Sequence, residues 1–112
     1  MASRGELEQA VMEILWESDS ELSVAEVHKI MGQERQLAYT TVMTVLDRLA
    51  KKGMVTRELV ARAWQYRPAQ PRHLHVADQV RELIAPLDEQ TKRLVVAELD
   101  ADIAALEVAS AG

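Results

Sequence analysis

A chain of 112 residues with 48% apolar content is long enough for one compact domain, or a small domain with an appendage, around a real core. Phe and Cys are absent, so the core must come from Leu, Val, Ile and Met, and disulfides, thiolate metal sites and a cysteine nucleophile are excluded. The net charge of −5 argues at first against nucleic acid; no apolar run approaches the roughly 20 residues of a membrane span, and no signal peptide precedes the charged start, so a cytoplasmic protein without membrane insertion is expected.

The first predicted helix is GELEQAVMEILWES, in which Leu7, Ala10, Val11, Ile14 and Leu15 form one stripe at helical spacing. Glu6 and Glu8 lie near its start, where the helix dipole favours acids, and Trp16 near its end reads as packing. The second helix opens with SVAE. Ser23 and Glu26 have capping-box spacing, Val24, Val27, Ile30 and Met31 supply the apolar side, and Gly32 is a natural stop. At about nine residues this helix depends on tertiary packing. Gln33 to Leu37 connect it to the third helix, AYTTVMTVLDRLAKKG, where Val42, Val45, Leu46 and Leu49 face inward and Gly53 closes the element.

MVTRELVARAWQYRP is rich in strand formers and reads as a hairpin turning near Ala61 and Arg62. Trp64, Tyr66 and Pro68 alternate onto one face; the turn has no Gly, Asn or Asp to fix its type. Three helices followed by a hairpin make a winged helix over residues 1–70. Pro68 and Pro71 bracket a linker, and residues 71–112 are helical again. Val76, Val80, Leu83, Ile84 and Leu87 form one stripe, which Pro86 should break or kink, and Leu94, Val95, Leu99, Ile103 and Leu106 form another. Such an arm cannot bury both stripes alone, so these ten residues are expected to form a homodimer interface.

The charge is unevenly spread. From Gly5 to Gly32 one Lys faces seven acids; from Gln33 to Arg72 eight positive residues face three acids; from His73 onward three positives face eight acids. A local basic zone, not the overall charge, is the footprint that matters for phosphate. Inside that zone the third helix carries Thr40, Thr41 and Thr44, although Thr is a poor helix former. Taking 100° per residue, Thr40, Thr44, Asp47 and Lys51 fall opposite the apolar stripe, with Met43 and Arg48 flanking them. Short polar side chains let a helix approach base edges. Threonine offers a hydroxyl for bases or phosphates and a methyl that can touch the thymine methyl. Arg48, Lys51 and Lys52 follow where such a helix passes the phosphate backbone, and Arg62 sits at the wing tip.

The runs GELEQAVMEILWES, LSVAEVH, AYTTVMTVLDRLAKKGMV and ARAWQYRP resemble the BlaI/MecI/CopY family of penicillinase-type repressors, over roughly residues 5 to 68, with T-T-V-x-T-x-L-x-R-L-x-x-K-G the most specific part. The resemblance implies a bacterial winged-helix homodimer that binds a pseudo-palindromic operator in double-stranded DNA, blocks transcription and regulates antibiotic resistance. It implies that Tyr39, Thr40, Thr41, Met43 and Thr44 face the groove, with Arg48, Lys51, Lys52 and Arg62 near phosphates. Family members are relieved by a signal-activated protease that cuts the arm, or by metal exchange at arm cysteines. This chain departs in having a shorter arm that matches poorly past Arg72, no Cys, and Ala61 where Gly is common in the wing.

Other readings are weaker. His73 and His75 form an H-x-H pair beside Asp78 that could ligate zinc from an extended linker but not from a helix, where i and i+2 diverge; no metal or other cofactor is expected. His28 reads as a surface helix residue. No phosphate loop or nucleophile motif supports an enzyme. The main alternative is a winged helix used for protein contact, which gives no reason for the cations to gather around an exposed threonine row.

Overall fold

A computed structural model describes residues 3–33 and 35–111. Its elements run α1 (Arg4–Glu17), β1 (Leu22–Ser23), α2 (Val24–Met31), α3 (Tyr39–Lys51), β2 (Val55–Val60), β3 (Ala63–Pro68), α4 (Arg72–Ile84) and α5 (Glu89–Ala111). The expected winged helix is present: three helices and a β-hairpin, followed by two further helices. Glu34, in the expected connection between α2 and α3, lies outside the described residues. The chain divides into two units, the first ending at Leu74 and the second beginning at His75.

Local chemistry sets the helix ends. Ser3 caps α1 by accepting from the Glu6 amide at 3.2 Å. At α2 the capping box is complete: the Glu26 amide donates to Ser23 Oγ at 3.1 Å, and the Ser23 amide donates to Glu26 Oε1 at 2.9 Å. Gly32 follows α2 as expected, but in right-handed geometry (φ −64°), so its freedom to turn left is not used there. It is used at Gly53, whose φ is +77°. There the Met54 amide reaches Leu49 O at 2.9 Å and the Gly53 amide reaches Ala50 O at 3.1 Å, the paired bonds of a Schellman motif. That motif turns the chain out of α3 and into β2.

The core lies under α3. Val42, Val45, Leu46 and Leu49 are buried as their spacing requires, against Val11, Met12 and Leu15 of α1 and Val24, Val27 and Met31 of α2. Leu7, Ala10 and Ile14 pack at its edge, whereas Met12, outside the predicted stripe, is buried. Ile30, expected on the apolar side of α2, is exposed. Trp16 does pack: it lies against the core, and its indole N–H donates to Gln70 O at 3.1 Å.

The sheet has a strand the sequence did not reveal. β1 pairs antiparallel with β3, Leu22 opposite Tyr66, so the order is β1-β3-β2 rather than a bare hairpin. Two residues carry no period-two signal; Leu22 is recruited because its side chain completes the core beside Val55 and Tyr66. Trp64, Tyr66 and Pro68 do share a face, but its burial fades outward, from 2% exposure at Tyr66 to 41% at Trp64, as the hairpin leaves the helices behind. Val60 pairs with Ala63, so the loop is the two residues Ala61 and Arg62, with φ of +50° and +69°. Both in left-handed geometry is the mark of a type I′ turn, here made without the Gly or Asn that usually relieves it.

In the second half, α4 ends at Ile84, two residues before Pro86, and α5 starts at Glu89, so the proline separates two helices. Leu87, assigned to the α4 stripe, is therefore corrected: it lies in the intervening turn, its amide bonded to Ile84 O at 2.9 Å. Asp88 caps α5 by accepting from the Thr91 amide at 2.7 Å, which holds its carboxyl below the usual range. His73 and His75 both lie within α4, where their rings diverge.

Candidate nucleic-acid interface

α3 begins without a side-chain cap, since Ala38 precedes Tyr39. Its start is held from α2 instead. His28, half-buried, donates a ring N–H to Leu37 O at 2.7 Å and meets the Tyr39 ring edge-on at 5.8 Å. His28 is thus not the plain surface residue its position on α2 implied. A carbonyl nine residues away is invisible to periodicity.

The outward face of α3 carries Tyr39, Thr40, Met43 and Thr44, all exposed, with Tyr39 at 46% and Met43 at 44%. Thr41 is half-buried at the margin. Thr44 Oγ1 donates to Thr40 O at 2.8 Å, the back-bond that exposed helix threonines form. Its hydroxyl proton is engaged, and what remains outward is the methyl and the oxygen lone pairs.

The cations divide into two groups. Arg48, half-buried on α3, and Arg62, exposed at the wing tip, form no ion pair among the described residues. Lys51 is exposed but lies 3.0 Å from Asp47, one turn back. Lys52 reaches the other way and bridges Glu8 of α1 at 2.8 Å, so it ties two helices together rather than extending the outward row. Such exposed pairs are worth ~0–1 kcal/mol and yield readily to a competing phosphate.

One residue that sequence reasoning passed over organises the region between α3 and the hairpin. Arg57 of β2 donates to Asp47 Oδ1 at 3.2 Å, reaches the Tyr66 hydroxyl at 3.5 Å and stacks 4.5 Å above the Trp64 ring. The Tyr66 hydroxyl and Asp47 raise the guanidinium above its ordinary value, and Lys51, followed by Arg57, holds the Asp47 carboxyl below its own. Asp47 would otherwise be a bare carboxylate among the cations of this face; Lys51 and Arg57 both pair with it. The signal was available: a lone acid among the cations of α3, and an Arg directly across the strand pair from Tyr66.

Among the described residues no helix is long and apolar enough to cross a membrane, and no group of His and acids is placed to hold a metal.

Comparison with known proteins agrees with this geometry. The chain is 42% identical over 89 residues to the transcriptional regulator BlaI of Mycobacterium tuberculosis (strain CDC 1551 / Oshkosh), a match covering 80% of this chain and 64% of that protein. It therefore spans just under two thirds of the length of the curated relatives it matches. A solution structure of the Bacillus licheniformis BlaI monomeric form in complex with the blaP half-operator matches with a TM-score of 0.52 and 28% identity, covering 64% of this chain and 84% of that one. The transcriptional regulator PA3341 shares the fold across 93% of this chain and 80% of its own, with a TM-score of 0.52 at 23% identity. The penicillinase repressor family model matches residues 4–109, so the likeness runs on through α4 and α5, where the sequence past Arg72 was expected to match poorly. The chain belongs to the penicillinase repressor family, a family of transcriptional regulators and not of enzymes.

Proposed function

We propose that this protein is a homodimeric, sequence-specific repressor that sets α3 into the major groove of a pseudo-palindromic operator. Residues 1–70 read the DNA and residues 71–112 pair with a second copy. The observation that carries this reading is the outward face of α3: Tyr39, Thr40, Met43 and Thr44 are exposed together, between Arg48 on the same helix and a wing that ends in Arg62. Short side chains let the helix backbone approach base edges, while the flanking cations meet phosphate and fix the register. Lys51 and Lys52 contribute once phosphate displaces Asp47 and Glu8, and Thr41 contacts the groove wall.

The Bacillus licheniformis relative bound to a half-operator supports one half-site per monomer. Two copies joined through the arm would then read both halves, spaced by about one helical turn. In that arm Val76, Leu83, Leu94, Leu99, Ile103 and Leu106 are exposed, with Val80, Ile84 and Val95 half-exposed, a set that needs a second copy to cover it. Leu87, in the turn, lies at the edge of that surface. A signal-activated protease cutting the arm would separate the halves and relieve repression.

Selection from random duplex DNA, followed by binding of the selected duplex across a salt series, tests the reading. A recovered palindrome, and a log affinity that falls by about 0.9 per phosphate contact with log salt, is the expected result. Recovery of no sequence, with binding insensitive to salt, would favour the use of the winged helix for protein contact.

A further inference from the structure

We propose that Arg57 is a positioning residue that fixes the wing against α3 and so determines where Arg62 meets DNA. The inference rests on the DNA-binding reading above.

Beyond Val55 and Tyr66 the hairpin buries nothing: Leu59, Val60 and Trp64 are all exposed. A two-stranded hairpin without a packed face is marginal in water. Its root is anchored in the core, but the direction of its tip needs a further restraint. Among the described residues, the one side-chain bond from α3 to the hairpin is Asp47–Arg57. Arg57 meets three partners of different kinds: a carboxylate on α3, the Trp64 ring face, and the Tyr66 hydroxyl at the edge of the core. A planar guanidinium can donate in plane and stack through its face together, which a lysine ammonium cannot. Lys51 holds the other oxygen of the same carboxylate at 3.0 Å in the free protein; when Lys51 turns to phosphate, Arg57 remains as the cation on Asp47. The Arg57 side chain is 30% exposed, with its Nη1 engaged by both Asp47 and the Tyr66 hydroxyl. Arg62 at the tip is exposed and unpaired among the described residues. The division of labour follows: Arg62 touches DNA, and Arg57 acts through it.

The test uses the selected duplex and hydroxyl-radical footprinting. Wild type should protect a central segment and a flank, and Arg62→Ala should remove the flank, marking it as the wing's. Arg57→Met, which keeps the stem over Trp64 and loses the fork, should remove the same flank while central protection and base preference persist. Each single variant should reduce the slope of log affinity against log salt by about 1, and the double variant should reduce it no further. If Arg57 contacted phosphate itself, the double variant would lose about twice as much slope, and the proposal would fall. It falls equally if Arg57→Met keeps the flank, or if Arg62→Ala leaves the flank protected. Each of those results leaves the DNA-binding reading intact; failure of wild type to select or protect any duplex removes both. If Arg57→Met melts early, Asp47→Asn is read instead, with loss of the flank expected and its retention overturning the proposal.

Discussion

The two halves of this chain put similar sequence patterns to opposite ends. Both carry aliphatic stripes at helical spacing. In α1, α2 and α3 those stripes meet one another, and Val11, Val27, Val42 and Leu46 are at most 1% exposed. Among the described residues of α4 and α5 no side chain is buried, and Leu83 stands 78% exposed. A hydrophobic stripe therefore does not say whether its partner lies in the same chain. In the first half, a capping box, a Schellman turn and a three-stranded sheet close the stripes on each other; in the second, a proline-separated pair of helices leaves them open. The first half's stability should belong to the monomer, and under the proposed pairing the second half's to the dimer.

That contrast can be broken at either end. Leu46→Ala, in the centre of the first core, should cost about 2–5 kcal/mol of unfolding free energy, through lost transfer energy and the cavity left behind. A denaturant melt that shows less than about 1 kcal/mol would mean that the core is looser than its burial implies. Leu99→Asp on the exposed arm stripe should leave the melt of the first half unchanged and weaken self-association by about 2 kcal/mol or more, the scale of an interface hot spot. Sedimentation velocity across a dilution series measures it; an unchanged dimer would place the interface elsewhere. Operator affinity should fall with the dimer, because two half-sites are then no longer read together.

What was legible followed from chain-local physics. Four apolar positions of α3 announced a buried face, Ser23 and Glu26 a cap, Pro86 an interruption, and the strand formers from Val55 to Pro68 a hairpin. What was not legible depends on pairs distant in sequence. β1 exists because Leu22 finds Tyr66; His28 is held by Leu37; Lys52 leaves the outward row of α3 because Glu8, on another helix, claims it. Arg57 looked like one more cation in a basic zone, and its role appears only when Asp47, Trp64 and Tyr66 converge on it. The threonine row was legible as exposed, but not the back-bond that engages Thr44.

That back-bond sharpens the contrast between a side chain that holds the fold and one proposed to read DNA. Thr44 is exposed, so its removal should spare stability, unlike Leu46. Thr44→Ala should weaken operator binding by ~1–3 kcal/mol with nonspecific binding nearly intact. Thr44→Val keeps the methyl and gives up a hydroxyl whose proton is already engaged, so it should retain most of the affinity. Thr44→Ser keeps the hydroxyl and should lose it. The reverse order in a gel-shift series would show that the hydroxyl leaves Thr40 O on binding and reads a base edge directly.

The smallest expected effect lies in the wing turn, where the first half carries strain that its core does not relieve. Ala61 and Arg62 both hold left-handed geometry, which costs an L residue about 1–2 kcal/mol each. Arg62 cannot be exchanged for glycine without losing the tip cation, but Ala61 can. Ala61→Gly releases the steric cost and gives part of it back through the greater freedom of the unfolded chain, so the net gain should be below about 1 kcal/mol. In a thermal melt of the first half this is a rise of a few degrees at most. Operator affinity should hold or improve slightly, since the same turn is kept and Arg62 stays in place. A fall in stability would mean that the turn is not left-handed at Ala61 in solution. The hairpin would then reach its two-residue connection by a different route, and the direction of Arg62 at the tip would change with it.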